Sequence, residues 1–121
     1  MDVRFFYVEE HGNLDKEHIV LAADANTNLG GYILSDSTYH GDGTTSNKHR
    51  RVFDFDELQA ITLIKSDLVL HYTKTGSFGV HELPSGTKAY FIYWGFNETV
   101  WNKDGDEAIL IKVAERSKKK V

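Results

Sequence analysis

An all-β fold, built as a sandwich or barrel of short antiparallel strands, is what this sequence predicts, and three observations predict it. Short runs rich in β-branched and aromatic residues recur along the chain, separated by clusters of Gly, Asn, Asp and Ser that suit turns. At most one short stretch, residues 56–64, has the spacing of a helix. The length, 121 residues, suits one domain with one core, and neither an internal repeat nor a compositional break divides it.

The elements follow in order. Arg4 to Val8 is an aromatic run that fits a pleated surface and predicts the first strand. His18 to Ala23 is apolar, flanked by polar segments on both sides, and predicts the second. Gly30-Gly31 permits a tight entry into a third strand, Tyr32 to Ser35. Residues 36–48 hold almost nothing apolar and two glycines, so a long exposed loop is expected. Arg51 to Phe55 predicts a fourth strand with Phe53 and Phe55 on one face. Residues 56–64 read equally as a helix through Leu58, Ile61 and Ile64 or as a strand through their β-branched side chains. Lys65-Ser66-Asp67 is a turn, and Leu68 to Thr73 is the clearest strand of the chain. Residues 74–88 predict a second polar loop. Ala89 to Trp94 and Ala108 to Val113 complete about seven strands. In Ala89 to Trp94, alternation sends Tyr90, Ile92 and Trp94 to one face and Phe91 and Tyr93 to the other.

Composition narrows the function classes. There is no cysteine, which excludes a disulfide framework, a thiol nucleophile and zinc sites built on thiolates. The start of the chain has no secretory h-region and no apolar run approaches a membrane span, so a cytoplasmic location with no membrane association is expected. The chain has 14 basic and 18 acidic residues, a net −4. Four of the cations, Arg116, Lys118, Lys119 and Lys120, lie in the last six positions. Without that tail and Glu115 the body has 10 cations against 17 anions, or −7, which repels phosphate backbones. A nucleic-acid partner is therefore not expected, and the tail, 115–121, reads as a solvated end.

The most distinctive text is Tyr93-Trp94-Gly95-Phe96-Asn97-Glu98-Thr99-Val100-Trp101-Asn102-Lys103-Asp104-Gly105-Asp106, where a Trp-Gly pair precedes Val-Trp-Asn-x-x-Gly-Asp and a closing strand. It resembles the signature of the lamin tail domain. Upstream, His18 to Leu21 resembles that family's second-strand entry, and Leu29-Gly30-Gly31-Tyr32-Ile33-Leu34 its Leu-x-Gly-Trp-x-Leu segment. Phe53 and Phe55 fall where its Phe-rich strand lies, and Ser66-Asp67-Leu68-Val69 resembles its Gly-Asp-x-Val turn. The resemblance spans about residues 3–114, with Tyr32 standing for the usual Trp and Ser66 for the usual Gly. It implies an immunoglobulin-like antiparallel β-sandwich used as a structural or interaction module, with no catalytic residues and no cofactor. Trp94, Trp101, Asn102, Asp104, Gly105 and Asp106 are then its structural motif, with Trp101 filling the core and Asp106 organising the closing turn.

Other constellations are weighed against this. Asn102, Asp104 and Asp106 begin like a calcium loop, but Glu107 and Val113 stand where that loop needs Gly and Glu, so a turn is the better reading. The six histidines have no ligand spacing, so no metal is expected. Glu9, Glu10 and His11 could approach Glu17 and His18 across the first two strands, with solvated or cross-strand pairs the better reading. The expected partner is a protein, met by Tyr39, His40, Arg50 and Phe78 in the two polar loops, where aromatic and arginine anchors concentrate. Two alternatives are a metal-dependent enzyme in the histidine-bearing segments 37–51 and 74–88, and nucleic-acid binding through Lys48, His49, Arg50, Arg51 and the tail.

Overall fold

The computed structural model describes residues 1–39, 45–101 and 107–121, and the side chains of these outside 38–50. Its strands are β1 (Val3–Glu9), β2 (His18–Ala23), β3 (Thr27–Asn28), β4 (Tyr32–Tyr39), β5 (Thr45–Asp54), β6 (Thr62–Leu63), β7 (Leu68–Tyr72), β8 (Gly79–Glu82), β9 (Lys88–Tyr93) and β10 (Glu107–Lys112). A five-stranded sheet has the order β1-β2-β7-β9-β8, a three-stranded sheet the order β10-β4-β5, and β3 pairs with β6. The fold is all-β, and antiparallel except where β7 runs parallel to β9. That parallel pair forces the link between β7 and β8 to cross over β9. Gly76 makes the crossing, so close to the Tyr93 ring that a methyl group there would strike the ring carbons.

Both larger sheets face one core. Val3, Ile19, Leu21, Val69, Tyr90 and Ile92 enter it from the five-stranded sheet, Tyr32 and Leu34 from β4, Leu63 from β6, and Leu29, Phe55, Ile61, Val100 and Trp101 from the connections. These are the inward members of each alternating run, as a sheet packed on one face requires. Strands β2 and β4 are exceptions, since Val20 and Ala22 on the other side of β2 are buried as well, and β4 is buried at the consecutive positions Leu34, Ser35, Asp36 and Ser37.

Two sequence expectations are corrected here, and the open reading of residues 56–64 is decided. Residues 36–48 are not one long loop, because β4 continues to Tyr39 and β5 begins at Thr45. Their polarity misled because β4 is central in its sheet, paired on one side with β5 and on the other with β10, and backbone pairing does not require apolar side chains. Asp36 is buried there, accepting from the Arg51 backbone N–H at 2.7 Å and lying 3.5 Å from its guanidinium. Residues 74–88 contain β8 and a tight hairpin in which Leu83 donates to Thr87 and Gly86 takes φ 88. Residues 56–64 form no regular helix. A single 3-10 turn, Phe55–Glu57, is capped by the Asp54 carboxylate accepting from Asp56 N–H at 3.0 Å, and only Thr62 and Leu63 are extended into a ladder.

Turn 65–67 depends on one carboxylate. Asp67 is buried and accepts from Ile64 N–H and Lys88 N–H, both at 2.9 Å, tying the turn to β9. Ser66 takes φ 80, a left-handed conformation that costs a side chain and favours glycine. The tail, expected to be free, is anchored at its start. Arg116 donates to both Asp54 oxygens at 2.6 and 2.8 Å and to the Gly30 carbonyl at 2.9 Å. The Arg116 hydrogen bond holds the Asp54 carboxyl below the usual carboxylate range.

Candidate recognition face

The outer face of the five-stranded sheet carries the residues that alternate with the core set. Register places Glu9 opposite His18, His18 opposite Tyr72, and Tyr72 beside Tyr93 on the parallel strand β9. The rings meet as this register dictates. His18 and Tyr72 lie 4.4 Å apart between centroids, and Tyr72 and Tyr93 5.3 Å, each pair with planes 20° apart. Two aromatic rings side by side in one plane cannot bring their centroids that close, so these rings stand upright on the sheet and stack face to face. Phe91 extends the array, 6.4 Å from Tyr72 and edge-on to His81 at 4.8 Å. The Lys74 ammonium lies 5.7 Å from the Tyr72 ring centre, and burial pushes the Tyr72 phenol above its ordinary range.

Above this ladder lies an open cavity of about 420 Å³, lined by Glu9, Glu10, Asp15, Lys16, His18, Tyr72, Lys74, Phe91 and Tyr93. Three carboxylates and two ammonium groups rim a floor of ring edges and phenol oxygens. Because the ring faces are spent on one another, a flat ligand has no open face to stack on at the centre of the ladder. What the site offers is an acidic-leaning rim and an apolar floor, suited to an extended chain carrying a cationic side chain.

Beneath the same region, Glu17 is fully buried. One of its carboxyl oxygens accepts from Gly12 N–H at 2.9 Å and Trp101 N–H at 3.3 Å. The other accepts from the Thr73 hydroxyl and from Val100 N–H at 3.0 Å. This side chain fixes three loops to one point and supports the segment that carries Lys74. His71 is buried on the core side, 4.4 Å from Phe53, 5.1 Å from Trp94 and 5.7 Å from Phe55 between ring centroids. Among the described residues neither of its ring nitrogens has a hydrogen-bond partner, and burial lowers its pKa to about 3, so the ring is neutral.

The sequence-predicted residues are dispersed. Tyr39 ends β4 and Arg50 lies within β5, so both are on strands of the three-stranded sheet rather than in a loop. Phe78 is 40% exposed and precedes β8 at the far edge of the other sheet. Trp101 is buried, and Trp94 is half-buried against Phe96 and His71. His40, Asn102, Asp104, Gly105 and Asp106 lie outside the described residues. Among the described residues, no three His, Asp or Glu side chains converge as metal ligands. The ladder is absent from the sequence expectations, although the sequence carries its signal: His18-x-Val20, Leu70-x-Tyr72 and Phe91-x-Tyr93 share the outward phase of three adjacent strands. No helix of the described residues is long and apolar enough to cross a membrane. No family model, curated protein or solved structure matches the chain.

Proposed function

We propose that this chain is a non-catalytic protein-interaction module of the lamin tail type, an immunoglobulin-like sandwich acting in the cytoplasm, and that it grips a partner segment on the outer face of its five-stranded sheet. The observation that carries the reading is the upright ring ladder beneath the rimmed cavity. A face of edge-on tyrosines with charged neighbours recognises polypeptide, whose side chains reach into the gaps between rings, and it selects a Lys or Arg where carboxylates outnumber ammonium groups. The family resemblance is supported by three positions. Tyr32 is wholly buried where that family has Trp, Trp101 is buried, and Ser66 has the φ of the glycine it replaces.

Panning a random peptide library on the immobilised protein tests this. Wild type is expected to enrich peptides with a basic residue, and Glu10→Lys with Asp15→Lys is expected to lose them without unfolding, since both positions are exposed. A Tyr39→Ala, Arg50→Ala, Phe78→Ala variant should keep them. Loss in that second variant instead would return recognition to the β4–β5 and β8 surfaces. Turnover of a phosphate or carboxylate ester in a metal-supplemented screen would replace the module with an enzyme.

A further inference from the structure

Strand β1 closes the five-stranded sheet at one edge, pairing with β2 alone among the described residues. Of the other edges of the two larger sheets, β10 keeps its apolar residues half-buried, and β8 and β5 are guarded. Strand β8 is four residues long with Pro84 just beyond it, and β5 carries the basic run Lys48-His49-Arg50-Arg51. Strand β1 is seven residues long and leaves Phe6, Tyr7 and Val8 at 52%, 42% and 45% exposure. An edge of that length and apolarity is a template for another strand.

We propose that this edge takes a second copy of this chain, independently of the segment gripped on the outer face, with β1 pairing antiparallel to its counterpart about a two-fold axis passing between Phe6 and Tyr7. The sequence Arg4-Phe5-Phe6-Tyr7-Val8-Glu9 is complementary to its own reverse. That axis sets Arg4 against Glu9, Phe5 against Val8 and Phe6 against Tyr7, so opposite charges close both ends and apolar pairs fill the middle. In a regular strand this register would fail, because positions four and nine point to opposite faces. The bulge corrects it. The ladder with β2 pairs Arg4 with Ala22, Phe5 with Leu21, Tyr7 with Val20, Val8 with Ile19 and Glu9 with His18, leaving Phe6 as the extra residue. Arg4, Tyr7 and Glu9 therefore share the outer face, and Phe5 and Val8 the core face. Phe6 joins the outer set, with the Arg4 guanidinium 5.5 Å from its ring centre and Tyr7 at 4.9 Å. Arg4 gives its Nε to Asp24 at 2.9 Å, and a guanidinium has further donors to give a second carboxylate.

Register-specific crosslinking tests this in a chain that has no cysteine of its own. Arg4→Cys and Glu9→Cys proteins, mixed under mild oxidation, are expected to give at least about tenfold more covalent dimer than either alone, because cross-strand opposites lie within disulfide reach and like positions do not. Sedimentation equilibrium of the wild type should show a concentration-dependent dimer, and Phe6→Asp, with an unchanged circular dichroism spectrum, should be monomeric. Equal crosslinking by Arg4→Cys alone, a dimer that survives Phe6→Asp, or a wild type that stays monomeric at millimolar concentration would each overturn the proposal.

Discussion

Glu17 and His71 are both sealed from solvent, and the fold treats them in opposite ways. Glu17 accepts four hydrogen bonds from segments far apart in sequence, near residues 12, 73 and 100. The His71 ring neither accepts nor donates one among the described residues, and sits among Phe53, Phe55 and Trp94. A buried polar group is tolerable when its partners are built in or when it stays uncharged. The first is a joint that fixes loops. The second is an aromatic-like filler that retains the possibility of taking a proton.

The largest effect should come from breaking the joint. Glu17→Leu removes the two oxygens that accept four hydrogen bonds and leaves buried N–H groups at Val100 and Trp101 without partners, each worth about 1–3 kcal/mol. A loss of about 3–5 kcal/mol in urea unfolding is expected, a large part of the ~5–15 kcal/mol available to a domain. Glu17→Gln should lose less. With its amide nitrogen turned to Thr73, whose hydroxyl is able to accept, only the Val100 bond is forfeited, so about 1–3 kcal/mol is expected. Equal losses for Leu and Gln would mean that the joint depends on charge rather than on acceptor geometry.

Trp101→Ala probes the same joint from the apolar side. It leaves the backbone N–H to Glu17 in place and removes a buried ring from the core, for which about 3–5 kcal/mol is the usual cost. Additivity with Glu17→Gln, measured in the double variant, would show two independent supports, and a shortfall would show that Trp101 and Glu17 act as one unit.

The contrast between these residues also marks what the sequence reveals. Alternation places His71 on the core face, because Val69 precedes it by two and is buried, and the outward phase of Phe91 and Tyr93 follows from the same rule. Glu17 is illegible by such means, since its donors come from positions up to 84 residues away and no local pattern specifies them. The continuation of β4 was hidden for a related reason. Ser35, Asp36 and Ser37 are buried though polar, and the Arg51 contact that satisfies Asp36 is contributed by the neighbouring strand. Non-local polar satisfaction leaves no periodicity to read. The edge strand β1, by contrast, carries its self-complementary charge pattern in plain sequence, but only the bulge at Phe6 shows that the pattern shares faces.

Acid should act on His71. The unfolded chain titrates this ring near 6.5 and the folded chain near 3. Above about pH 6.5 the ring is neutral in both states and protonation has no effect on stability. As pH falls through the window from 6.5 to 3, the unfolded state binds the proton and the folded state does not, so stability falls by up to about 1.4 kcal/mol per pH unit. Between pH 7.5 and 5 this amounts to about 2 kcal/mol. The test is the difference between wild type and His71→Phe across that range. A slope that persists in the variant would assign the acid sensitivity to other groups.

The smallest effect is expected from that same variant at pH 7.5. Phenylalanine keeps the ring contacts to Phe53, Phe55 and Trp94 and replaces two unpartnered nitrogens with carbon. Removing unsatisfied polar atoms is neutral or favourable when shape is kept, and the slightly larger ring offsets part of that gain. The stability of His71→Phe should therefore lie within about 1 kcal/mol of wild type, on either side. A loss beyond about 2 kcal/mol would mean that the ring nitrogens do bond in solution. In that case His71 would belong with Glu17 as a satisfied polar anchor, and the contrast between a built-in joint and a neutral filler would fail at the residue that defines it.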